Sequence, residues 1–171
     1  GDETGVRSNC QVGRSYSPAG KTPVQNVPGS RFSINMISTV TNQGKVRFML
    51  YRDTMKAQLL IRFLARLIRD TGKRKIFLIL DNLKVHHANK VRDWVDRRKE
   101  QIELFFLPAY SPELNPDEYL NGDLKNQLHA RRPARNRDEL ESKVRGAMMR
   151  IQGRPARVAS YFRHPKIAYA A

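Results

Sequence analysis

Residues 76–80, Ile-Phe-Leu-Ile-Leu, form an unbroken apolar run that stops at Asp81 and Asn82. A short run with no polar position predicts a strand buried on both faces, with helices covering each side. Upstream, residues 32–40 alternate and are rich in β-branched side chains. Asn42, Gln43 and Gly44 predict a tight turn, and residues 45–51 the second arm of a hairpin. Leu60, Phe63, Leu64, Leu67 and Ile68 recur at helical spacing and predict a helix that stops at Gly72. Ala88, Val91, Trp94 and Val95 predict a second amphipathic helix, and residues 102–107 a further short strand. Asn115 and Pro116 predict a helix start, with Asn as N-cap and Pro at the first helical position; Leu120, Leu124 and Leu128 mark its buried stripe. Asn136 predicts the cap of a last helix with Leu140, Val144, Ala147, Met148 and Ile151 on one face. Residues 5–30 are rich in Gly, Pro, Ser and Asn and predict a loop, with a short extended piece at 22–27. Strands first, then alternating helix and strand, predict a mixed α/β fold.

Composition narrows the function. The 171 residues carry a net charge of +16, with a pI near 10.6, on an ordinary 40% hydrophobic content. That is a folded chain with a field that favours polyanions, above all nucleic acid. From residue 131 to 171 there are eleven Lys/Arg against three Asp/Glu, half of the whole excess. The division expected is therefore a core at 1–130 and a basic helix and tail at 131–171, packed on the core or extending it. Cys10 is the only cysteine, so no internal disulfide is possible, and a reducing, cytosolic compartment is the natural expectation. No apolar run is long enough to span a bilayer, and none reads as a signal peptide.

Within this basic chain, three acids stand at places where elements begin or end. Asp81 closes the apolar strand, Glu118 falls in the first turn of the helix opened by Asn115, and Asp2 lies at the N-terminus. Thirty-six residues lie between Asp81 and Glu118, enough for a helix, a strand and a loop to return the chain to one edge of the sheet. Carboxylates are the ligands that Mg²⁺ takes, and a pair of such ions activates an attacking oxygen and stabilises a leaving one in phosphoryl transfer. Each acid also has a plainer use: Asp81 as a strand terminator, Glu118 as part of a capping box, Asp2 as a frayed terminal acid. Asn82 and Lys84 flank the candidate site and are placed to contact DNA backbone. His86 and His87 make a poor chelate, because neighbouring helical residues point apart; the expectation is a place at the start of a helix with His86 near the phosphate. Arg131, Arg132, Arg135 and Arg137 can track phosphates, or simply solvate a linker.

The segments GDETG at 1–5, GRSYSPAGKTP at 13–23, LDN at 80–82 with His86, His87 and Ala88, and LPAYSPELNPDE at 107–118 resemble the catalytic domain of bacterial insertion-sequence transposases of the mariner superfamily. The resemblance runs over essentially the whole chain. It implies an RNase H-like fold, a mixed sheet with helices on both faces. It also implies a catalytic and metal-binding triad of Asp2, Asp81 and Glu118 using Mg²⁺ or Mn²⁺. The implied activity is cleavage at element ends followed by strand transfer into target DNA, commonly at TA dinucleotides. The implied partners are double-stranded DNA and a second copy of the chain, with no membrane, in the bacterial cytoplasm at the nucleoid. Three departures go with it. No helix-turn-helix region is present, and Asp2 is expected to end a first strand that is largely missing, which would leave it unsupported and the domain weakly active. Asn121 and Gly122 stand where many relatives carry an aromatic residue, and Gly122 is expected to weaken its helix by about 1 kcal/mol relative to Ala. A non-catalytic DNA-binding remnant of a transposase is the alternative, and an unrelated basic RNA-binding protein a more distant one.

Overall fold

The hairpin expected from residues 32–51 forms the middle strand and one edge of a three-stranded antiparallel sheet. In the computed structural model, which describes residues 1–8, 16–21, 31–129 and 132–170, Asp2–Arg7 (β1) pairs with Ser33–Val40 (β2), and β2 with Val46–Tyr51 (β3). The extended piece at 22–27, Cys10 and Arg131 lie outside the described residues. Ala57–Thr71 (α1) follows and ends at Gly72, whose φ of 72° suits only glycine readily. Ile76–Leu80 (β4) then pairs in parallel with Ile102–Phe106 (β5) around Asn89–Asp96 (α2). Asp117–His129 (α3), Arg137–Gln152 (α4) and Pro155–Ser160 (α5) complete the chain, with short 3₁₀ turns between and after them.

Helices lie on both faces of the sheet, and β2 shows why. Ile34 and Met36 point into a core shared with Leu120 and Leu124 of α3, Val144 and Met148 of α4, and Val158 of α5. Ile37 points the other way, among Leu60, Phe63 and Leu64 of α1, Val91 of α2 and Leu78 and Leu80 of β4. Alternation along one strand thus supplies both layers. Each such side chain, taken from water, contributes roughly 1.5–3 kcal/mol. Every residue expected on the α4 stripe is buried. The α5 helix and the turns after it were not legible in the sequence.

Two expectations are corrected. The strand carrying Asp2 runs forward from it: β1 opens at Asp2 and pairs residue by residue with β2, from Asp2↔Ser38 to Arg7↔Ser33. Asp2 is therefore held by a ladder. Nor is β4 buried on both faces. Leu78 and Leu80 pack under α1, but Phe77 is 64% exposed on the opposite face, against Phe105 of β5. A backbone tie between the two sheets is made by the Gly1 nitrogen, which donates to the Ile79 carbonyl at 2.7 Å.

Asn136 caps α4 as expected, its side-chain oxygen accepting from the Glu139 N–H at 2.8 Å. Asn136→Ala is expected to lower unfolding free energy by about 1 kcal/mol in a denaturant titration. Among the described residues, no helix is long and apolar enough to cross a membrane.

Candidate active site

Three elements deliver acids to one cleft. Asp2 heads β1, Asp81 follows the last residue of β4, and Glu118 lies in the first turn of α3. All three line a cavity of about 350 Å³, with Asn82, Tyr110 and Asn115 among its other walls. The loop that returns the chain from β5 to α3 is shaped by local bonds. Asn115 accepts through its side-chain oxygen from the Asp117 N–H at 3.1 Å, and Tyr110 adopts a φ of 57°, uncommon for a residue with a side chain. The ligand atoms of the three acids do not all lie within 4.8 Å of one another.

Asp2 is strongly perturbed. Burial comes first, and the negative charges of Asp117, Glu118 and Asp81 add to it, pushing its carboxyl up to about 7. The Asn121 amide donates to its Oδ2 at 2.9 Å. Asp117 is fully buried behind it, accepting from Ser38 Oγ at 3.0 Å and lying 3.2 Å from the Gly1 nitrogen; burial raises its carboxyl as well. Asp2 accepts from a neutral amide rather than a cation, and a buried carboxylate with three acids around it is a site that a cation would relieve. Its donors are oxygens only, which fits a hard divalent ion such as Mg²⁺ or Mn²⁺.

A second cluster lies against the first. His86 is wholly buried, with Nε2 2.8 Å from Glu3 Oε1 and Nδ1 2.9 Å from the Asp81 carbonyl and 3.1 Å from Asp81 Oδ1. Burial alone would strip its proton, but the hydrogen bonds to Asp81 and Glu3 outweigh that and push it up to about 10. Glu3, Asp81 and His86 bring ligand atoms within 4.8 Å of one another, so by composition they make a metal site. The hydrogen bonds argue otherwise. A carbonyl only accepts, so Nδ1 must donate; Nε2 facing a carboxylate donates as well, leaving no lone pair for a metal. The group is a closed ionic triad.

The other expected site residues fall out as follows. A ring buried and bonded at both nitrogens offers no edge to a phosphate, so the DNA contact expected of His86 is corrected. Asn82 is exposed at the cleft, its side-chain oxygen bonded to His87 Nε2, and Lys84 is exposed beside it. Arg132 and Arg135 are exposed ahead of α4 and do not line the cleft. Glu3, Asp117 and Asn121 were missed. Glu3 and Asp117 each sit next to an acid already chosen, and nothing local distinguishes the members of such a pair.

The two shifts give a pH dependence of one sign. Asp2 is raised from 3.8 to about 7, so its ionisation destabilises the fold progressively between those values. His86 is raised from 6.5 to about 10, so the stability it supplies is complete below the first value and lost on passing the second. In both, the native state binds more protons than the unfolded one. The metal-free protein should therefore melt at least about 5 °C lower at pH 9 than at pH 5.5 by scanning calorimetry. An unchanged or rising melting temperature would contradict this assignment.

A family model described as DDE superfamily endonuclease matches residues 1–141. Among solved structures, the Mos1 strand transfer complex is similar at 20% identity and a TM-score of 0.67, covering 99% of this chain and 53% of that one. A pre-cleavage Mos1 transpososome matches at 17% and 0.68, covering 99% and 54%. The catalytic domain of Mos1 mariner transposase matches at 17% and 0.59, covering 99% and 81%. The chain thus spans about half the length of the chains in the two complexes. At these identities the likeness is one of fold. No curated protein sequence matches the chain. Because the family model spans residues 1–141 of 171, the chain belongs to the DDE superfamily of endonucleases.

Proposed function

We propose that this chain is the catalytic domain of a mariner-type DNA transposase of the bacterial insertion-sequence branch, cutting phosphodiesters at element ends and joining the freed 3′ end to target DNA. The observation that carries this is the cleft lined by Asp2, Asp81 and Glu118, with Asp2 pushed up to about 7 by burial and then by its acidic neighbours. These three would hold Mg²⁺ or Mn²⁺, which supplies an activated oxygen nucleophile and neutralises charge on the phosphate. The chain's own part is positioning: the β1 ladder fixes Asp2, Asn121 orients its carboxylate, and the Asn115 cap fixes the first turn of α3 that carries Glu118. Among similar structures are Mos1 paired end complexes with Mn and with Mg, which agrees with either ion. Double-stranded DNA, both element ends and target, is the proposed partner; the net charge of +16 would bind its backbone, with Asn82, Lys84, Arg131, Arg132 and Arg135 as contacts. A homodimer at paired ends and a place at the nucleoid in the cytoplasm complete the reading.

Nicking of supercoiled plasmid with Mg²⁺ or Mn²⁺, lost in Asp81→Asn, is the direct test. No nicking with either ion, with DNA binding intact, would favour the non-catalytic remnant instead. DNA affinity is expected to fall about 10³-fold or more between 50 and 200 mM salt, because phosphate neutralisation releases counterions. A flat salt dependence in a fluorescence-anisotropy titration would contradict charge-led binding.

A further inference from the structure

His86 takes no part in the chemistry proposed above, yet it is a completely enclosed polar side chain beside the cleft. It is 0% exposed, while Asp81 is 32% exposed at the side chain. One imidazole edge meets residue 81 in two ways: Nδ1 donates to the carbonyl (2.9 Å), and it lies 3.1 Å from Oδ1 as an ion pair. The opposite edge is pinned to Glu3, whose side chain is only 10% exposed and stands on β1, one residue from Asp2. Oδ1 of Asp81 is buried with no hydrogen-bond partner, so the charge of the adjacent imidazole is what steadies it, and Oδ2 is left as the oxygen free to face the cleft. Asp81 lies beyond the last ladder pair of β4, where strand pairing no longer holds the chain. Without a second support its carboxylate would rotate.

We propose that His86 is the positioning residue for Asp81: through Nδ1 it locks the carboxylate of Asp81 so that Oδ2 is presented to a divalent cation, and Glu3 holds the imidazole in the orientation that does so. Glu3 thereby links the first acidic strand to the second acid, so that Asp2 and Asp81 are set relative to one another through the Glu3–His86 bridge. The inference rests on the reading of Asp81 as a metal ligand. Supports of this kind, one shell out from the ligand, typically alter metal affinity by 10–100-fold.

The test uses the two nitrogens separately. The amide nitrogen of Asn reaches about where Nδ1 stands and that of Gln about where Nε2 stands, each supplying donors at one end only. Mn²⁺ binding to the metal-free protein is measured by electron paramagnetic resonance, with melting temperature followed in parallel. His86→Asn should bind within about 3-fold of wild type, whereas His86→Gln and His86→Ala should bind about 10–100-fold more weakly. A merely structural role would make affinity follow melting temperature rather than which nitrogen is kept. If Gln binds as well as wild type, or Asn as poorly as Gln, the inference is overturned, and that pair decides it even if Ala does not fold. Asp81→Asn serves as the separate control. If wild type binds no Mn²⁺, or Asp81→Asn binds as wild type does, the reading of the site itself fails and the inference falls with it.

Discussion

Asp2→Asn is expected to stabilise the metal-free protein at pH 8 while reducing Mg²⁺-dependent strand cleavage by about 10³-fold or more. The two effects have one cause. At pH 8 the Asp2 carboxyl, raised to about 7, is ionised in a buried setting beside Asp117, Glu118 and Asp81. That charge disfavours the folded state, and an uncharged amide of the same shape removes the penalty. Its oxygen can still accept from Asn121, which now lies 2.9 Å from Oδ2. The gain should be on the order of 2 kcal/mol at pH 8 and should vanish well below the unfolded value of 3.8, where Asp2 is protonated in both states. Mg²⁺ should raise the melting temperature of wild type through binding linkage and leave Asp2→Asn unmoved. A variant that is less stable at pH 8, or that still cleaves, would remove Asp2 from the site.

That prediction reverses the one drawn from sequence, and the reason is instructive. DETGVR offers a strand reading almost nothing: of its residues only Val6 is a buried hydrophobe, and Gly5 disfavours extended structure. Its strand character comes from β2, more than twenty residues away in sequence, and local pattern does not carry that. Asp81 and Glu118 were legible for the opposite reason. Each closes or opens an element with strong periodicity of its own, so their approach followed from element order. His86 misled because its chemistry suits DNA, metal and ionic bridging equally; only burial between Glu3 and Asp81 chooses among them. Phe77 misled because an apolar run does not say whether a second helix layer reaches that end of the strand. The layer on that face, α3 to α5, packs over β1–β3 instead.

Gly44→Ala is expected to be among the most damaging single substitutions, although its hairpin turn does not line the acidic cleft. Gly44 turns the β2–β3 hairpin at a φ of 80°, in the left-handed region that a side chain resists. An added Cβ would also collide with the Pro155 carbonyl oxygen and lie 2.7 Å from its carbon. Those are backbone atoms in the first turn of α5, which no rotamer change can move aside. The helix must shift, and it is tied to α3. Arg157 of α5 makes a forked bond to Asp123 at 2.9 and 2.8 Å, and Tyr161 donates to the same carboxylate at 2.6 Å. Asp123 and Glu118 share α3, so the disturbance reaches the cleft through one rigid element. Backbone strain and overpacking together should cost about 3–5 kcal/mol. Gly72→Ala is the internal control: its φ is also positive, at 72°, but nothing lies within 4 Å of the added carbon. Strain alone should cost it about 1–2 kcal/mol. Urea titrations of the two variants, with plasmid nicking measured alongside, separate the contributions. Equal costs at the two glycines would mean that the hairpin yields without displacing α5, and that the turn and the site are uncoupled.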